Sequence, residues 1–222
     1  MSPKIAADNL ASFDRTLYSK CKDKLNSDGV RRITEECLKE CNVEDGYDKN
    51  FLSKYYSPIY TVMRQFYNNL EDLKVLEVGY RITPFLNFLK EKGAETWGID
   101  VDPYIVEDDR LFEMSIEDPE EWFVKKFKGN FDVILERLCL SEQYDEEYEL
   151  EHKEPRFKNR RKILENLHKL LKEGGKLILQ DDRGTIFTFR DFYEVGFKKV
   201  MKDIPIMFNR DAWNVLNVYE KV

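Results

Sequence analysis

The chain has 222 residues, a formal net charge of −7, 42% hydrophobic residues and 36% charged residues. This composition describes a folded domain with a core of its own and excludes a disordered chain. The acidic balance argues against free nucleic acid as a partner. No run approaches the roughly 18 apolar residues of a membrane span, and Met1–Asp8 lacks the apolar stretch of a secretory signal. The expectation is a cytoplasmic protein with no membrane partner.

Residues 1–70 read as an N-terminal helical cap, interrupted at Asn26–Gly29 and Glu44–Gly46. Cys37 and Cys41 share a face of a predicted helix, four residues apart, but no Cys or His pair of matching spacing completes a site. No metal is expected. Tyr55, Tyr56, Tyr60, Phe66 and Tyr67 recur at helical spacing. Such a stripe packs on a core or on another surface, and it is the face through which a homodimer would form.

From residue 71 to 222 the pattern alternates between strand and helix. Strands are predicted near 74–78, 96–100, 110–114, 131–135 and 176–180, with helices near 84–92, 118–127, 156–172 and 188–195. The helix at 156–172 is expected to end on a Lys172–Gly175 cap. The acidic stretch 142–154 reads as a flap or solvated insertion. Two last strands, near 198–203 and 213–220, have no helix between them, so they should pair as an antiparallel hairpin. The expected fold is α/β, a Rossmann-like three-layer sandwich with a seven-stranded, mostly parallel sheet.

Residues 73–83 carry the most information. Val75–Val78 is a short apolar run ending at Gly79, a helical pattern follows, and a second run, Trp97–Ile99, ends in Asp100. Strand, glycine turn, helix and acid-tipped strand outline a nucleotide-binding βαβ unit. Positions 81 and 83, where such turns repeat glycine, hold Arg81 and Thr83.

The element order, with its terminal hairpin, resembles the class I S-adenosylmethionine-dependent methyltransferase family. Val75–Gly79 is similar to that family's first motif and Gly98–Asp100 to its acidic second-strand end. Phe131–Ile134 resembles its fourth strand, Leu170–Leu179 its helix-turn-strand 5 pattern, and Tyr193–Phe197 the approach to strand 6. The resemblance implies S-adenosylmethionine as cofactor and a small-molecule substrate. It implies Gly79 beside the methionine part, Glu77 organising the loop and the ligand's amino group, and Asp100 accepting from the ribose hydroxyls. Arg81 either fills the ligand's space or pairs with its carboxylate. Ser115 stands where relatives place an acid near the adenine.

Glu136 and Arg137 follow predicted strand 4, where the family keeps substrate or catalytic groups, and Asp181 follows strand 5. Arg137, Tyr56 and Tyr60 are the candidate substrate contacts, the tyrosines because an N-terminal helix often lids the site in such enzymes. Neither histidine, His152 or His168, is expected near the site. A catalytic base, where the nucleophile must lose a proton, therefore falls to Glu136, Asp181 or a tyrosine. The alternative function is a non-catalytic partner subunit or scaffold whose glycine loop has decayed.

Overall fold

The computed structural model describes residues 59–60, 62–80, 84–103, 108–137, 139–182, 185–207 and 213–222. Tyr56, Arg81, Thr83, Cys37 and Cys41 lie outside the described residues, as does most of the expected cap. Of that cap, 59–60 and 62–66 are helical.

The elements that follow are β1 (Lys74–Val78), α1 (Pro84–Glu91), β2 (Glu95–Asp100), β3 (Leu111–Glu113), α2 (Glu121–Phe127), β4 (Phe131–Arg137), α3 (Glu142–His152), α4 (Arg160–Leu170), β5 (Leu171–Asp182), α5 (Phe189–Val195), β6 (Phe197–Met207) and β7 (Trp213–Lys221). The sheet order is β3-β2-β1-β4-β5-β7-β6. The first five strands are parallel, and β7 runs antiparallel to both β5 and β6. The hairpin and the parallel order agree with expectation.

Strands buried on both faces read as continuous apolar runs, because successive side chains point to opposite sides. One face takes Leu76, Val78, Ile134, Leu177 and Leu179 and is covered by Phe123 and Phe127 of α2, the Ile163–Leu170 stripe of α4 and Phe192 of α5. The other takes Val75, Val133, Leu135 and Ile178 and is covered by Phe85, Phe88 and Leu89 of α1 and by Ile59, Val62 and Met63. Among the described residues no helix is long and apolar enough to cross a membrane.

Three boundaries differ from the sequence reading, each for a local reason. First, α4 does not run to a glycine cap. It ends at Leu170, and β5 begins at Leu171, whose backbone is already extended (φ −72°, ψ 144°). The carbonyls of Lys169 and Leu170 accept from Gly129 and Asn130 N–H at 2.8 and 3.0 Å, so the turn before β4 satisfies the helix end. Gly174, at φ +73°, instead serves the irregularity between the Phe131–Leu171 and Val133–Lys176 pairings. Second, the acidic segment is the helix α3, not a loop. Glu, Gln, Tyr and Leu are adequate helix formers, but Glu146, Glu147, Glu149, Leu150 and Glu151 are all exposed, so no apolar period marked it. Third, β4 and β5 are longer than predicted. Glu136, Arg137, Asp181 and Asp182 lie within the strands rather than after them.

Candidate active site

The carboxyl ends of β1 to β4 open on a cleft of about 220 Å³. Its floor comes from Val78 and Gly79 at the end of β1, Ile99 to Val101 at the end of β2, Met114 to Glu117 after β3, and Cys139 and Leu140 after β4. Tyr148 of α3, with Arg156 and Phe157 beyond it, forms the remaining wall. Open parallel sheets bind ligands at this edge because the strand order changes direction there. Gly79, Asp100 and Ser115, predicted as cofactor contacts, are brought together in this one cleft.

Gly79 has φ +76°, a conformation that glycine adopts without the Cβ clash. Its open side is already used inside the protein: a Cβ there would lie 2.7 Å from both Cβ and Sγ of Cys139. Cys139 in turn donates from Sγ to Val78 O at 3.4 Å, and burial pushes its thiol pKa up. The thiol packs on the Gly79 backbone, and burial disfavours its ionised form. Gly98 is bare for a related reason. The fully buried ring of Tyr80 lies against it, 2.6 Å from where a Cβ would be.

Asp100 is half-buried at the tip of β2, and its Oδ1 accepts the Asp102 N–H at 2.8 Å. Ser115 Oγ accepts the Glu117 N–H at 3.1 Å. Asn166, buried on α4, donates to Ile116 O at 2.9 Å and Glu117 O at 3.2 Å and so braces this wall. The segment after α3 crosses between two rims. Arg156 Nη1 donates to Cys139 O at 2.8 Å on the β4 side, and Asn159 N–H donates to the Glu117 carboxylate on the β3 side. An acid at the β2 tip, a hydroxyl, apolar Met114 and Ile116, and aromatic Tyr148 and Phe157 suit a ribose diol carrying an aromatic base.

The predicted catalytic residues, and the predicted substrate residues Tyr60 and Arg137, lie outside this lining. Glu136 and Asp181 are both fully buried, on the sheet face that Val78 and Leu179 share, immediately behind the Cys139–Leu140 wall. Glu136 Oε1 accepts the Leu140 N–H at 2.8 Å. Burial raises the Glu136 carboxyl to about 7 and pushes that of Asp181 well above its usual range. Two ionised carboxylates cannot bond to one another, whereas a single shared proton makes one a donor. Glu77 and Arg137 lie on the opposite face. Burial lifts Glu77 to about 8; the positive charge of Arg137 opposes this, and Asp100 and Glu136 add to it. Tyr60 packs edge-on against Phe88, centroids 5.2 Å apart, in the layer covering that face, and does not line the cleft.

One expectation is overturned. His152 is near the site, its ring stacked on cleft-lining Tyr148 at 4.0 Å. Sequence reasoning also missed Tyr80, Cys139, Leu140, Tyr148, Arg156 and Phe157. No motif marks them; only the path of the chain after β4 and α3 brings them to the strand tips. Among the described residues no group of three or more His, Cys, Asp or Glu could hold a metal ion.

Solved structures with this architecture come from several organisms. A magnesium protoporphyrin IX methyltransferase from Synechocystis, with bound SAM, superposes with a TM-score of 0.53 at 14% identity, covering 92% of this chain and 97% of that one. A 1,6-didemethyltoxoflavin-N1-methyltransferase from Burkholderia thailandensis, with its substrate and S-adenosylhomocysteine bound, gives 0.50 at 14%, covering 100% and 91%. An S-adenosylmethionine-dependent methyltransferase from Mesorhizobium loti gives 0.53 at 10%, covering 73% and 97%. At these identities the likeness shows the fold. No curated protein matches the sequence. The family model described as "Methyltransferase domain" matches residues 49–217, about three-quarters of the chain. With the cleft at the sheet's carboxyl edge and the terminal hairpin, this match establishes that the chain belongs to the class I S-adenosylmethionine-dependent methyltransferase family.

Proposed function

We propose that this protein transfers a methyl group from S-adenosylmethionine to a small-molecule nucleophile. The observation that carries the reading is the convergence of Gly79, Asp100 and Ser115 on one cleft with an aromatic and apolar wall. Asp100 would hold the ribose hydroxyls, Ser115 and the Met114–Ile116 wall the adenine, and the Gly79 backbone the methionine end. The sulfonium supplies a methyl group already attached to a good leaving group, so the protein's work is to position the acceptor and exclude water. Glu136 acts from behind the wall: its carboxylate fixes the Leu140 N–H and with it the turn that shapes the cleft. Support for a small acceptor comes from the net charge of −7, which disfavours nucleic acid, and from the acceptors of the toxoflavin and protoporphyrin enzymes.

Titration calorimetry with S-adenosylmethionine and S-adenosylhomocysteine tests the cofactor half. Release of S-adenosylhomocysteine across a panel of small amines, phenols and carboxylic acids tests the acceptor half. No heat from either nucleoside up to millimolar concentration would sink the reading and leave a non-catalytic role.

A further inference from the structure

Arg156 stands at the end of the cleft where the loop glycine lies. Its Nη1 donates to Cys139 O at 2.8 Å, and the Cys139 side chain is the group seated on Gly79. The guanidinium is therefore fixed one residue away from the Gly79 backbone. The Phe157 ring supports it, 5.0 Å from the guanidinium carbon to the ring centroid. A guanidinium has five N–H donors in a rigid plane. One is used on Cys139 O, and the others make no hydrogen bond to the described residues.

The charges along the cleft are separated. Asp100 and Glu117 put negative charge at the β2 and β3 end, and Arg156 is the one cation among the described lining residues, at the β4 end. A ligand that matches this order carries a neutral, donor-rich sugar at one end and an anion at the other. We infer that Arg156 binds the carboxylate of the cofactor's amino-acid part. The inference rests on the cofactor reading above and assigns a residue that lies after α3, outside the glycine loop and outside every strand tip. A planar guanidinium anchored on one nitrogen leaves an edge that meets a carboxylate through two parallel hydrogen bonds. With Asp100 on the ribose, the two side chains would grip the ligand at both ends.

The test uses two ligands that share the nucleoside thioether and differ in the amino-acid part. S-adenosylhomocysteine has it; 5′-methylthioadenosine does not. Calorimetry is run on the full-length wild type, Arg156→Ala and Arg156→Lys. The expected result is a loss of about 10- to 100-fold in S-adenosylhomocysteine affinity for Arg156→Ala, the scale of a charged hydrogen-bonded pair. Arg156→Lys should recover part of that loss. The affinity for 5′-methylthioadenosine should change by less than about threefold in both variants. Equal losses for the two ligands would show that Arg156 only shapes the wall and would overturn the inference, as would unchanged S-adenosylhomocysteine binding. A wild type that binds neither ligand would sink the cofactor reading itself, a separate and distinguishable failure.

Discussion

The contact between Gly79 and Cys139 lends itself to a quantitative test. Replacing Gly79 by alanine imposes two penalties. The backbone at φ +76° is left-handed, which costs an alanine roughly 1–2 kcal/mol relative to glycine. The new methyl group also arrives 2.7 Å from Cys139 Cβ and Sγ, well inside van der Waals contact. Overpacking of that kind typically costs about 1–3 kcal/mol. The single variant should therefore lose about 2–5 kcal/mol in urea unfolding. Cys139→Gly removes both colliding atoms and leaves only the backbone term. In the double variant Gly79→Ala/Cys139→Gly the cost of the alanine should fall to roughly 1–2 kcal/mol, giving a coupling of about 1–3 kcal/mol between the sites. A Gly79→Ala protein as stable as wild type would refute the contact. So would a coupling near zero, which would place the whole effect in the backbone.

Asp100→Ala should weaken S-adenosylhomocysteine binding by about 1.5–3 kcal/mol in calorimetry, and unchanged affinity would show that the ribose is held elsewhere. Asn166→Ala removes both donors to Ile116 and Glu117 carbonyls; unfolding should show a loss of about 1–3 kcal/mol, with weaker nucleoside binding because the wall slackens. Glu136 has a folded-state pKa raised from 4.5 to about 7, chiefly by burial. Its contribution is thus fully present below pH 4.5 and lost as pH rises through about 7. Glu136→Gln keeps an acceptor for the Leu140 N–H and cannot ionise, so its stability measured across that window should fall less steeply with pH than that of wild type; parallel curves would contradict the assignment.

Much of the fold can be read from the sequence because parallel strands buried on both faces appear as apolar runs, and Val75–Val78, Phe131–Leu135 and Leu177–Leu179 are such runs. The hairpin was legible because the sequence shows no helical pattern between the last two predicted strands. Gly79, Asp100 and Ser115 were legible because each sits at a strand tip, where sequence position sets spatial position. Tyr148, Arg156 and Phe157 were not, because they reach the cleft from a helix and a connecting segment whose paths depend on tertiary contacts such as those to Cys139 and Glu117. The helix α3 escaped notice for a similar reason: its hold on the body includes the ion pair of Asp145 with Arg160, which leaves no apolar period. Glu136 and Asp181 look like accessible polar residues at strand ends, and only the extra pairing of β4 and β5 reveals that both are buried.

The strand β3 has three residues and, among the described residues, forms an edge of the sheet and pairs with β2 alone. Edge elements with few ladder bonds open before the centre does, so amide hydrogens near 111–113 should exchange through local opening, while those of β1 and β4 await global unfolding. The cleft is built across that gradient, with one wall on the most persistent strands and the other on the least. A ligand spanning it would tie the edge to the centre. Its signature in hydrogen exchange would be an uneven one: strong slowing at β3 and the residues that follow it, and little change at β1, whose protection is already limited by the stability of the whole domain.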